Sequence, residues 1–122
     1  MMRLNHAHLS VPDVGALRDF LVRHFDFTTL ATRGADGFAV LRGADGFVLA
    51  LLRAKAGTAP DPHLHVGFFV DSSARVHAKH AELRAAGIDA GEVERVTRSG
   101  FTSLTFYCQA PGGLLVEVAH QE

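Results

Sequence analysis

The sequence contains no tryptophan, one tyrosine, one cysteine and four prolines in 122 residues. The lone Cys108 cannot form an internal disulfide, so the fold must rest on its apolar core, and a single thiol fits a reducing cytoplasm. Long apolar runs are missing too: the best stretch, FVLALL at 47–52, is far too short to span a bilayer. The opening MMRLNHAHLS lacks the apolar core and cleavage site of a signal peptide. Nor is there an excess of charge of either sign. Twelve basic residues against 13 acidic ones leave a net charge of −1, which argues against nucleic acid or a membrane as partner. With 48% hydrophobic and 20% charged residues the composition is that of a folded protein. Its 122 residues are enough for one compact domain or two small modules sharing a core. What the chain does have in abundance is histidine, eight in all.

The hydrophobic pattern predicts strands and helices with short joints. Residues 4–11 alternate, with Ala7, Leu9 and Val11 on one face and His6, His8 and Ser10 on the other. Asp13 is placed to cap a helix running to about Phe25, with Val14, Leu17, Leu21 and Phe25 as its apolar stripe. RGADGFAVL at 33–41 is nearly repeated as RGADGFVLA at 42–50, and the Asp-Gly pairs predict antiparallel strands joined by tight hairpins. AKAGTAPDP at 54–62 reads as a joint. Beyond it the pattern predicts a strand at 63–70 and a helix capped by Asp71 or Ser72 that ends at Gly87. Further strands are expected in 88–96, at 101–108 and, after a Pro-Gly-Gly turn, at 114–119. The order β-α-β-β-β therefore occurs twice, module one at about 3–53 and module two at about 63–120. The repeat supports one α+β domain, a curved and mainly antiparallel sheet with helices on its outer face.

Strand parity then sorts the polar residues. Leu64, Val66, Phe68 and Val70 point toward a helix, leaving His63, His65, Gly67 and Phe69 opposite. Leu104, Phe106 and Cys108 go with the helices; Phe101, Ser103, Thr105 and Tyr107 face away. In the last strand Leu115, Glu117 and Ala119 take the far face. One side of the sheet thus gathers His6, His8, His63, His65, Tyr107 and Glu117. Two imidazoles and a carboxylate from three strands are suited to a divalent metal with open positions for water or substrate. The plainer alternative is that strand histidines are hydrogen-bonded surface residues and that a glutamate in a final strand meets solvent. His24, His77 and His80 fall on helices and are expected in solvent, and His120 belongs to an exposed tail.

NHAHLSVPDV followed by a helix containing RDFL resembles the opening of the vicinal oxygen chelate superfamily. That group includes glyoxalase I, extradiol dioxygenases, fosfomycin-resistance transferases and bleomycin-binding proteins. HLHVGFFVD resembles its second-module strand and FYCQAPGGLLVEV its closing segment, so the likeness covers almost the whole chain in the right order. The resemblance implies that His6, His65 and Glu117 bind a divalent ion such as Fe, Mn, Zn or Ni, rather than His8 or His63. It implies that Tyr107, ten residues before Glu117, lies near bound substrate, where its phenol donates a hydrogen bond or acts as an acid. His8 and His63 would supply supporting hydrogen bonds or proton transfer. Arg98 and Ser99 enter the Tyr107 strand from a Gly-bounded loop and suit an anionic substrate, while Phe69 and Phe101, with Phe38, suit a pocket wall.

Departures from the family pattern narrow the function. Glyoxalase I often has a fourth ligand on the strand where this chain has Ala50, so glyoxalase I itself is disfavoured; the catalytic histidine that large extradiol dioxygenases often supply from that strand is absent too. Ala110-Pro-Gly-Gly replaces the usual acidic turn, and only five residues follow Glu117. The resulting expectation is a metal-dependent enzyme that chelates two neighbouring oxygens of a small substrate, with dioxygenase-like, lyase, isomerase and transferase chemistry all open. The alternative is a bleomycin-resistance-like protein that sequesters a hydrophobic antibiotic without catalysis. The resemblance also implies a homodimer, with the cup formed within one chain or across two.

Overall fold

The computed structural model describes residues 1–122. The chain divides into two compact units, Met1–Pro60 and Asp61–Glu122. In the first, alternation produces strand β1 (His6–Val11), exposed at His6, His8 and Ser10 and buried at Leu9 and Val11. The Asp13 carboxylate accepts the Ala16 N–H at 3.0 Å and starts helix α1 (Val14–His24). Strands β2 (Thr28–Arg33), β3 (Phe38–Arg42) and β4 (Val48–Arg53) follow. The sheet order is β1-β4-β3-β2. Three strands after the helix return the chain to the direction of β1, so β4 pairs with β1 in parallel while the other pairings are antiparallel. Helix α1 packs on β2, β3 and β4 through Val14, Leu17, Phe20 and Leu21. His24 also turns inward, 7% exposed with its ring 5.6 Å from that of Phe20, which corrects its assignment to solvent.

The repeated hexapeptide Arg-Gly-Ala-Asp-Gly-Phe forms two different turns, neither of them a two-residue Asp-Gly hairpin. At 33–38, Gly34, Ala35 and Asp36 all have left-handed backbones, and the Asp36 carboxylate accepts Arg18 Nη1 at 2.6 Å. At 42–47 only Gly46 is left-handed, and Asp45 Oδ1 accepts the Phe47 N–H at 3.0 Å. A Cβ costs Ala35 energy at its φ of 52°. Ala35→Gly is therefore expected to stabilise the unit by about 0.5–1 kcal/mol. The corresponding rise in Tm is about 2–4 °C by scanning calorimetry. A lower Tm would refute the strain.

The second unit repeats the plan with β5 (His65–Phe69), α2 (Ser73–Ala85), β6 (Glu94–Arg98), β7 (Phe101–Gln109) and β8 (Leu115–Gln121), in the order β5-β8-β7-β6. Ser72, not Asp71, caps α2 by accepting the Arg75 N–H at 3.2 Å. The helix ends where Gly87, at φ 78°, lets its own N–H reach Arg84 and the Ile88 N–H reach Leu83. Strand β5 again pairs in parallel, with β8.

Three expectations for this unit need correction. His63 and Leu64 belong to a turn before β5, organised by Asp61 Oδ1 accepting the His63 N–H at 2.8 Å; Leu64 is consequently 38% exposed instead of facing the helix. The strand expected in 88–96 is displaced to Glu94–Arg98. Ala90 bridges Cys108 and Glu94 pairs with Thr105, four residues against three, so an extra residue at 91–93 breaks the ladder. His80 and His120 are half-buried: His80 Nε2–H donates to the Gly91 carbonyl with its ring against Phe106, and His120 Nδ1–H donates to the Val70 carbonyl. His77 is exposed as expected. The core holds Val76, Leu83, Leu104, Phe106, Val116 and Val118. Cys108 lies among them, and burial pushes its thiol up to about 11, so it is no nucleophile.

Candidate functional site

The second unit has one open sheet face, and strand register sets its occupants. Glu117 on β8 stands between Gly67 on β5 and Tyr107 on β7, and Arg98 on β6 stands opposite Phe101 on β7. His65 is two residues before Gly67 on the same face. Five of the residues expected in a site, His65, Glu117, Tyr107, Arg98 and Phe101, therefore share this face, and Phe69 ends β5 on it, 76% exposed.

The Glu117 carboxylate is held asymmetrically. Thr105, 3% exposed on β7, approaches Oε2 with its hydroxyl at 3.0 Å and the Val118 carbonyl at 3.1 Å. Oε1 takes no hydrogen bond. A Cβ at position 67 would lie 3.6 Å from Oε1, so any longer side chain there would cover this oxygen; glycine leaves it open. His65 is oriented through one ring nitrogen: Nδ1–H donates to the His63 carbonyl at 3.1 Å, which leaves Nε2 as the nitrogen available to a ligand. His63 contributes its backbone carbonyl to this arrangement as the acceptor for His65. Parity placed Thr105 on this face, but only its contact with Glu117 gives it a role.

A shallow depression of about 70 Å³ lies beside Glu117, lined by Val96, Arg98, Phe101, Ser103 and Thr105. Arg98 Nη1 is 3.5 Å from the Tyr107 hydroxyl and donates toward it, so the phenol proton is free for another acceptor. The hairpin that carries Arg98 and Phe101 is as tight as hairpins come. Ser99 and Gly100 form its entire loop, with left-handed φ values of 52° and 81°.

The first unit presents an equivalent face with a different rung. His6 pairs with Val48 and His8 with Ala50, just as His65 pairs with Leu115 and Gly67 with Glu117. Ala50 thus stands where the second unit has its carboxylate, and His8 stands where the second unit has glycine. His6 Nδ1–H donates to Asn5 Oδ1 at 2.7 Å, which leaves Nε2 as its available donor atom to a cation. His8 is exposed and meets Phe38 edge-on, ring centroids 6.1 Å apart. Within either unit no three His, Cys, Asp or Glu side chains gather as a ligand group. The second unit offers an imidazole and a carboxylate with one oxygen held and one open, and the first unit offers the His6 imidazole; both residue types are ligands for divalent ions.

Residues 3–118 match the family model described as the Glyoxalase/Bleomycin resistance protein/Dioxygenase superfamily. No curated protein matches the chain. Among solved structures, a possible glyoxalase from Bacillus cereus is 38% identical with a TM-score of 0.77, over 97% of this chain and 98% of that one. A glyoxylase/bleomycin resistance protein/dioxygenase domain from Frankia sp. EAN1pec shares the fold, with 18% identity, a TM-score of 0.82 and coverage of 100% and 99%. The genomically encoded fosfomycin resistance protein FosX from Listeria monocytogenes shares it too, with 16% identity, a TM-score of 0.74 and coverage of 98% and 93%. From the span of that family model and the repeated strand-helix-three-strand plan, the chain belongs to the glyoxalase/bleomycin resistance protein/dioxygenase superfamily.

Proposed function

We propose that the chain is a metal-dependent enzyme that acts on two neighbouring oxygens of a small molecule. His65 and Glu117 of the second unit and His6 of the first are its ligands to a divalent ion, with Fe, Mn, Zn and Ni as candidates, and the working form is a homodimer. The observation that carries this reading is the hold on Glu117: a buried threonine hydroxyl orients one carboxylate oxygen while Gly67 leaves the other open. An ordinary surface glutamate has no need of either. Carbonyl and amide oxygens fix the tautomers of His65 and His6 in the same sense, as partners of metal-bound imidazoles do. When bound, a divalent ion supplies Lewis acidity toward substrate oxygens.

The protein's own groups do the rest. Tyr107, with its phenol proton unclaimed, donates to a substrate oxygen beside Glu117. His8, exposed on the rung after His6, accepts or returns a proton. Phe69 and Phe101 shield the apolar part of the substrate. A second reading, sequestration of an aromatic antibiotic without catalysis, draws on the exposure of those same rings, 76% for Phe69 and 59% for Phe101. Elemental analysis of untagged protein, purified without added metal, separates the two. The enzyme reading expects about one ion per chain. Metal-free protein that binds an aromatic antibiotic tightly would replace it with the second.

A further inference from the structure

The ligand's charge can be read from a cation left without a partner. Every other lysine and arginine of the second unit is neutralised: Arg75 by Asp71 at 3.6 Å, Lys79 by Glu82 at 3.0 Å, Arg84 by Glu92 at 3.0 Å and Arg95 by Glu122 at 2.7 Å. Arg98 alone has no carboxylate, and it lines the depression beside Glu117 with its guanidinium on the Tyr107 hydroxyl. The two-residue Ser99-Gly100 turn fixes Arg98 opposite Phe101, so the fork and the aromatic ring are presented together before any ligand arrives.

From this we infer that the ligand is a small carboxylate on an apolar body, its anionic group bound by Arg98 and Tyr107 and its body lying on Phe101. Exposure supports the division: Arg98 and Phe101 line the depression together, and the ring, 59% exposed, offers an apolar body a face to lie on. A guanidinium matches the planar carboxylate with paired N–H donors, and the phenol adds a third. The inference rests on the proposed reading of this face as the ligand-binding side, but it does not require a metal ion.

The test uses benzoate and its neutral isostere benzamide, titrated into chelator-treated, isotope-labelled full-length protein and followed by amide shifts. Benzoate is expected to shift Arg98, Phe101 and Glu117 saturably and to bind at least about tenfold tighter than benzamide, the weight of one charge-assisted hydrogen bond. Arg98→Gln, its fold verified by an otherwise unchanged spectrum, should bring benzoate down to the level of benzamide. Phe101→Ala should weaken both probes alike. Equal binding of the two probes by the native protein, or a benzoate preference that survives Arg98→Gln, overturns the inference. Metal content is read separately: a chain that takes up no metal yet prefers benzoate keeps the clamp and loses the metal assignment, and the reverse result does the opposite.

Discussion

Protein carrying Glu117→Ala is expected to lose affinity for a divalent ion by more than about 100-fold, since removing even the partner of a ligand costs 10–100-fold. Titration of metal-free protein with Zn²⁺ or Mn²⁺ measures it, and uptake equal to that of the native chain would end the assignment of Glu117. The fold should survive the change. Thr105 keeps the Val118 carbonyl as acceptor at 3.1 Å, so no buried hydroxyl is stranded and stability should move by less than about 1 kcal/mol. Thr105→Val supplies the graded comparison. It retains the carboxylate but releases its orientation, so a loss of about 10–100-fold is expected. A threonine that merely fills space would leave metal affinity unmoved, because valine has nearly its shape.

Phe106→Ala is expected to remove about 3–5 kcal/mol of unfolding free energy. Phe106 is 1% exposed on β7, and the ring of His80 lies against it with centroids 5.0 Å apart. Against a typical total of about 5–15 kcal/mol, such a loss leaves a barely folded chain at 37 °C. Urea denaturation is the measurement. Phe101→Ala on the same strand is the control, since an exposed ring loses little burial and should cost about 0.5 kcal/mol or less. Similar destabilisation by the two substitutions would mean that the alternation of faces along β7 has been misassigned.

That alternation was the most legible feature of the sequence. Parity separated Leu104, Phe106 and Cys108 from Phe101, Ser103, Thr105 and Tyr107, and the structure buries the first set while Phe101, Ser103 and Tyr107 stay at least partly open. Thr105 shows where parity stops. It stands on the open face yet is buried, because Glu117 and neighbouring strands cover it, and a strand pattern carries no information about what lies above the sheet. Local turns were harder. His63 and Leu64 continued the strand period, but the Asp61 side chain closes a turn there, a tertiary-independent event that period counting overlooks. The misplacement of β6 came from one extra residue at 91–93, which no propensity encodes. His24 and His80 were assigned to solvent as polar helix residues; aromatic neighbours take them up instead, Phe20 for one and Phe106 for the other. The reciprocal rung, His8 with Ala50 and Gly67 with Glu117, needed strand register, which the sequence repeat alone left undetermined.

The two copies of Arg-Gly-Ala-Asp-Gly-Phe carry a lesson about portability. Their six letters are the same, but one backbone is bent by three successive left-handed residues and the other by a single glycine. What separates them is the engagement of the aspartate, with an arginine 18 positions away in one copy and with the amide two residues on in the other. The shape of the first loop is thus on loan from helix α1. Transplanted to another hairpin without that arginine, the segment would carry its letters but not its conformation, and a catalogue of loops indexed by sequence would file two unlike objects under one name.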